Sequence, residues 1–182
     1  MTFKIQLERK CHLQKPQGTQ IAVIQNSLHT CEMTVDKLSW AMRVGMTAKP
    51  AITDGQKFLS QQVFIVDVDN AATVRSVQEN KIICQKIGIY PNIIVKTFSG
   101  TAENQRHHLV FVTEAPIQNA VLRNELQTAL TSVFAGDKSC NDVSRIFFGG
   151  DFIYFKQTMH FLTETHITKL IGRDLRCTLQ RP

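Results

Sequence analysis

The apolar positions along the chain fall into short blocks that switch between two rhythms. FKIQLERK and QIAVIQN alternate over a few residues and predict short strands around the turn LQKPQGT. TVDKLSWAMRVG moves to helical spacing: Thr34 is placed to cap it, Leu38, Trp40, Ala41 and Met42 supply apolar faces, and Gly45 ends it. MTAKPAITDGQKF, broken by Pro50 and Gly55, predicts a loop. VFIVDVD predicts a buried strand, followed by a helix from about Ala71 to Ile87. Val74, Val77, Cys84 and Ile87 form its buried stripe, Asn70 can cap it and Gly88 can stop it. NIIVKTFS and RHHLVFVT predict two strands joined by the polar loop GTAENQ. Pro116 opens another helix, with Leu122, Leu126, Ala129, Leu130, Val133 and Phe134 inward. GDKSCNDVS predicts a loop, SRIFFGG and FIYF a strand pair turning at Gly149, Gly150 and Asp151, and Met159 to Ile171 a helix. Hairpins mixed with helices predict an α+β fold rather than a doubly wound parallel sheet.

The strand VFIVDVD raises a question of chemistry, because burying carboxylates is costly. Side chains alternate along a strand, so Asp67 and Asp69 share a face, roughly 6–7 Å apart at the backbone. Two carboxylates on one rigid strand can converge on a hard divalent cation, which takes oxygen ligands and keeps positions for phosphate. The plainer alternative is that they end the strand and cap the next helix. His107 and His108 point opposite ways on their strand, so only one can face the aspartates, and the pattern alone does not choose. Asp137, Asp142 and Arg145 stand together in DKSCNDVSRIFFGG. They are turn-forming residues, or a further carboxylate beside a phosphate-binding guanidinium.

Composition narrows the field. The chain has 182 residues, 43% hydrophobic and 20% charged, with net charge +6, which suits one globular domain with a mild preference for phosphate-bearing partners. No stretch approaches the length of a membrane span, and MTFKIQLERKCHL lacks the apolar block of a secretory signal, so a cytoplasmic location is expected. Five scattered cysteines predict free thiols. Cys11 with His12 and His29 with Cys31 are the only short pairs that suggest zinc, at spacings poor for tetrahedral chelation.

Three motifs in order carry a resemblance: DVDN at the end of an apolar strand, TFSG followed by HHLVF, and DKSCNDVSR entering FFGG. Together with WAMRVGMTAKPAIT they resemble, over residues 34 to 155, the archaeo-eukaryotic primase superfamily. The likeness is to the primase-polymerase domains of plasmids, phages and integrated elements. That superfamily has a D-x-D/E motif, an s-x-H motif and a hydrophobic-Asp motif. Here Arg106 stands at the small position two before His108, and Gly136 stands before Asp137.

The resemblance implies an RRM-like antiparallel or mixed sheet with flanking helices beside a small N-terminal α/β unit. It is one catalytic domain over 1–182, with 1–60 the N-terminal subregion and 61–182 the motif-bearing core. It implies a DNA primase or polymerase using Mg²⁺ or Mn²⁺ in a two-metal nucleotidyl transfer during replication of a mobile element. Asp67, Asp69 and Asp137 (Asp142 the alternative) would hold metal. His108, Arg145 and Lys96 would hold nucleotide phosphates, and Arg43, Lys57, Arg173 and Arg176 would meet nucleic acid. The implied partners are a single-stranded DNA template, nucleoside triphosphates and a replicative helicase, with no membrane. The chain itself has no G-x-x-x-x-G-K-[ST]. Two other classes compete. One is a non-catalytic single-stranded nucleic-acid or origin-binding module. The other is a haloacid-dehalogenase-like phosphohydrolase, whose pattern wants Thr or Val where Ala71 stands and a run of βα repeats.

Overall fold

A computed structural model describes residues 1–69 and 74–179, with side chains described through residue 172. The elements run β1 (Phe3–Leu7), α1 (Thr19–Ser27), β2 (His29–Met33), α2 (Val35–Arg43), β3 (Thr47–Lys49), β4 (Ala51–Asp54) and β5 (Lys57–Val68). They continue through α3 (Val77–Ile87), β6 (Ile93–Lys96), β7 (His107–Ile117), α4 (Ala120–Val133), a 3₁₀ turn (Lys138–Asn141), β8 (Phe147–Phe148), β9 (Phe152–Lys156) and α5 (Glu164–Leu179). Two sheets result, a five-stranded one in the order β4-β5-β7-β6-β9 and a four-stranded one in the order β2-β1-β3-β8. Every pairing between these strands is antiparallel. The fold is therefore α+β, and the parallel βα repeats of the phosphohydrolase alternative are not its architecture.

The order β5-β7-β6 with α3 and α4 on one face is the RRM-like part, and β4 and β9 fill its outer positions. Both faces of this sheet are covered, which is why VFIVDV reads as an almost unbroken apolar run. Phe64, Val66, Val68, Leu109 and Phe111 face α3, α4 and α5. Val63, Ile65, Val110 and Val112 face α2 and the four-stranded sheet. The two sheets also exchange strands along the sequence. β4 precedes residue 60 yet joins the larger sheet, and β8 comes late yet joins the smaller one.

Several sequence expectations change. QIAVIQN is helix α1, with only Ile24 buried, because its apolar residues at 21 and 24 also fit one helical side. HTCEM, not anticipated, forms strand β2. MTAKPAITDGQKF is not a loop: it holds β3, β4 and the start of β5, and Gly55 (φ +56°) and Gln56 turn the β4–β5 hairpin between the paired Asp54 and Lys57. α3 begins at Val77. Ser76 caps it in a reciprocal box with Glu79, Val74 is exposed, and Asn70 to Thr73 lie outside the described residues. Pro116 sits inside β7, and α4 is opened by Asn119, whose side chain accepts from Val121 and Leu122. β8 and β9 do not pair with each other, since the Gly149–Gly150 link passes the chain from one sheet to the other. Both glycines are required by close approach. A Cβ on Gly149 would lie 2.3 Å from the Met42 carbonyl, and one on Gly150 1.6 Å from that of Lys96. Among the described residues no helix is long and apolar enough to cross a membrane.

Candidate active site

The face of β5 that carries Val63 and Ile65 next carries Asp67, and there the cover of α2 and the small sheet ends. The strand thus opens from core into a cleft of about 400 Å³. Asp67, Asp69, His108, Asp137 and Arg145 all line it. Asp67 is the cross-strand partner of His108, and its Oδ1 lies 3.3 Å from His108 Nε2. The His108 ring meets Phe147 edge-on, with centroids 5.5 Å apart, and its Nδ1 is buried without a hydrogen-bond partner.

His107 faces the other way, into the helical layer. Its Nδ1 hydrogen donates to the Gln105 carbonyl and its Nε2 accepts from Asn80 Nδ2 at 2.9 Å, so the ring is a satisfied, neutral core residue. Burial holds its pKa below the usual imidazole value. The structure therefore puts His108, not His107, beside the aspartates.

Asp137 arrives from 70 residues away by a local device. α4 ends with the Gly136 N–H returning to the Thr131 carbonyl and Ala135 in the left-handed region at φ +52°. The next N–H, that of Asp137, donates to the Asp67 carbonyl at 2.8 Å. A Cβ on Gly136 would sit 2.3 Å from Val66 Cγ1, so a glycine is what lets this turn lie flat on β5. The Cys140 thiol then bridges the two acids, 3.7 Å from Asp67 Oδ2 and 3.5 Å from Asp137 Oδ2. Below the loop, buried Arg123 donates to Gln61 and to the Asn141 and Asp142 carbonyls. Asp142 itself points to solvent, accepts from Ser144 N–H and does not line the cleft.

The electrostatics follow from this packing. Burial pushes the Asp67 carboxyl up, but His108, Arg145 and the Cys140 thiol together outweigh it and hold the group below the ordinary carboxylate value. Asp137 is lowered by the Ser139 hydroxyl and N–H. Burial, reinforced by Asp67, pushes the Cys140 thiol up to about 12, so it stays protonated and donates.

Other expected site residues are placed elsewhere. Lys96 lies on His107's face of the sheet and pairs with Asp151 at 3.2 Å. Lys57 starts β5 and is therefore roughly 33 Å along the strand from Asp67. Arg43 is exposed at the end of α2 and does not line the cleft. The side chains of Arg173 and Arg176 lie outside the described residues. The zinc pairs are engaged otherwise, His12 with Glu8 and His29 with Arg9. Cleft residues given no site role from sequence include Lys15, Gln25, Thr97 and Arg106. A basic residue two before His108 was the available signal for the last.

No family model and no curated protein matches the chain. Solved structures do. The archaeo-eukaryotic primase domain of the cyanophage S-2L primase-polymerase superposes with TM-score 0.52 at 12% identity, covering 93% of this chain and 88% of that one. The catalytic domain of primase RepB′, in complex with initiator DNA, gives TM-score 0.50 at 12% identity over 100% of this chain and 91% of that one. The chain has the archaeo-eukaryotic primase fold. Within this fold, the cleft at the end of β5 is where the acidic strand, the β6–β7 turn and the loop after α4 meet.

Proposed function

We propose that the protein is a template-directed nucleotidyltransferase, a DNA primase or polymerase serving replication of a mobile element. The observation that carries the reading is the docking of Asp137 on Asp67, which brings carboxylates from two distant segments to one cleft with Asp69. The RepB′ domain's complex with initiator DNA supports a DNA partner, and the positive net charge agrees with it.

The donor set fits a hard cation. Asp67, Asp69 and Asp137 offer oxygen alone, and Mg²⁺ or Mn²⁺ is commonly held by one or two carboxylates with water and substrate phosphate completing the shell. Among the described residues no three such side chains close around a single point, so the cleft is an open platform rather than a cage. Of two ions bound there, one would lower the pKa of the attacking 3′-hydroxyl and the other would neutralise charge on the departing pyrophosphate. The chain's own groups do the rest. β5 fixes the spacing of Asp67 and Asp69. Cys140 and His108 hold the Asp67 carboxylate ionised and oriented. His108 and Arg145 offer hydrogen bonds to phosphate oxygens. Phe147 braces the His108 ring.

Incubation with labelled nucleotides, Mg²⁺ or Mn²⁺ and a single-stranded template tests the reading. Template-dependent strand synthesis supports it. Binding of the strand with no synthesis under any metal would replace it with the non-catalytic module.

A further inference from the structure

The outer edge of the larger sheet lies outside the cleft, and no β9 residue lines it. β9 is the last strand of that sheet, and its far side pairs with no strand among the described residues. Its sequence is FIYFK, aromatic at three of five positions, where an edge strand ordinarily carries charge or proline. Phe152 is 54% exposed, and its ring meets that of Tyr154 edge-on with centroids 5.3 Å apart. Phe155 packs on the core beside them, and the Lys81 ammonium of α3 stands 5.6 Å from its ring centre. Beyond β9 the Gln157 N–H donates to the Asn92 carbonyl, and there Tyr90 and His160 form a second exposed ring pair, 6.2 Å apart.

Cations flank this row of rings. Lys96 is the cross-strand partner of Phe152, so the two share the face of the sheet that bears the helical layer. The Lys169 ammonium rests on the Ile87 carbonyl at the end of α3, close in sequence to Tyr90. The nearby carboxylates are already engaged, Asp151 with Lys96 and Asp36 with Lys156, while Lys81 and Lys169 have no ion pair among the described residues. The row also begins where the cleft ends. Phe147, Phe148 and Gly149 line the cleft, and the Gly149–Gly150 link leads the chain directly to Phe152.

We infer that the β9 edge is a platform for single-stranded DNA, on which unpaired bases stack against Phe152 and Tyr154 while Lys81 and Lys96 meet the phosphates of a strand that runs on from the cleft. Exposed rings between lysines suit such a strand, because every base offers a face to stack and the backbone brings the opposite charge. A duplex keeps its bases stacked on one another and cannot use the rings. The inference rests on the DNA partner of the proposed function and does not require synthesis.

The test is fluorescence anisotropy of a labelled oligothymidine of about 20 nucleotides, and of a duplex of the same length, over a range of salt concentrations. Phe152→Ala is expected to weaken oligothymidine binding at least about fivefold and to leave the duplex little changed. Phe152→Trp should bind as tightly as the wild type or better, because the larger ring still stacks. Lys81→Gln should lower the slope of log affinity against log salt by about 0.7. Trp40, equally exposed at 54% on α2 against the other face of the sheet, is the control, and Trp40→Leu should bind normally. If Phe152→Ala does not fold, Phe152→Leu keeps the apolar cover without the ring and must still lose affinity. Wild-type affinity in Phe152→Ala overturns this inference alone, and so does an equal loss for single strand and duplex. Wild-type affinity with an altered oligomeric state in Phe152→Ala would give the edge to a second copy of the chain and likewise overturns it. A wild type that binds no oligothymidine overturns the DNA partner, and this inference with it.

Discussion

His107 and His108 are adjacent in sequence and opposite in role. His107 is sealed among Asn80, Gln105 and the helical layer, and burial depresses its pKa from 6.5. The unfolded chain binds this proton more readily, so stability should be full above about pH 6.5 and decline as pH falls below it. Melting temperatures between pH 7.5 and 5 should show that decline, and the His107→Gln variant should flatten it. An identical slope in the variant would place the titration elsewhere. His108 acts on Asp67 instead. Removing it as His108→Asn takes away a stabilising charge and hydrogen bond, so the Asp67 carboxyl should titrate at higher pH in a carbon-13 carboxylate titration. Alternation in RHHLVFVT shows that the two rings diverge. It does not show which side the helices cover, since that depends on packing from α3 and α4, far along the chain.

At the scale of elements, the segment from the end of α4 through the 3₁₀ turn decides where Asp137 goes. Gly136 lies flat on Val66, so Gly136→Ala should overpack the contact and cost about 1–3 kcal/mol, read from denaturant unfolding, while lifting Asp137 from Asp67. Arg123 supports the loop from beneath, and burial lowers its pKa to about 10 without neutralising it near pH 7. Arg123→Met would strand the Gln61 side-chain oxygen and two loop carbonyls, and about 2–4 kcal/mol of stability should be lost. A loss well under 1 kcal/mol would mean that the loop is held by other contacts. Elements with strong local signals were legible: β5, α2 with its Thr34 cap, and the β6–β7 hairpin. QIAVIQN misled because isoleucine and valine favour strands while their spacing also fits a helix with one buried residue. The hairpin within MTAKPAITDGQKF was masked by its polar alternation, although a two-residue loop that begins with glycine, as Gly55-Gln56 does, is a hairpin signal. The start of α3 was written in Ser76 and Glu79, and the apolar stripe drew the expected boundary too early.

At the scale of the molecule, two sheets pack face to face, with helices behind the larger one. The cleft lies where the cover of α2 and the smaller sheet ends, on a face of the larger sheet that is otherwise buried. The convergence of Asp67, Asp69 and Asp137 was legible as ordered motifs, whereas the exclusion of Lys57 and Lys96 was not, because it depends on strand length and facing. The central claim is that these three carboxylates act together on nucleotide and cation, and Asp142, a solvent-facing neighbour outside the cleft, is its internal control. The most direct measurement is primer extension on a single-stranded template with Mn²⁺ or Mg²⁺, comparing Asp67→Asn, Asp69→Asn, Asp137→Asn and Asp142→Asn, each confirmed folded by its melting curve. The expected result is metal-dependent synthesis that falls to background in the first three and stays near wild type in Asp142→Asn. Normal synthesis by Asp67→Asn and Asp137→Asn, or loss in Asp142→Asn with Asp137→Asn active, would contradict it.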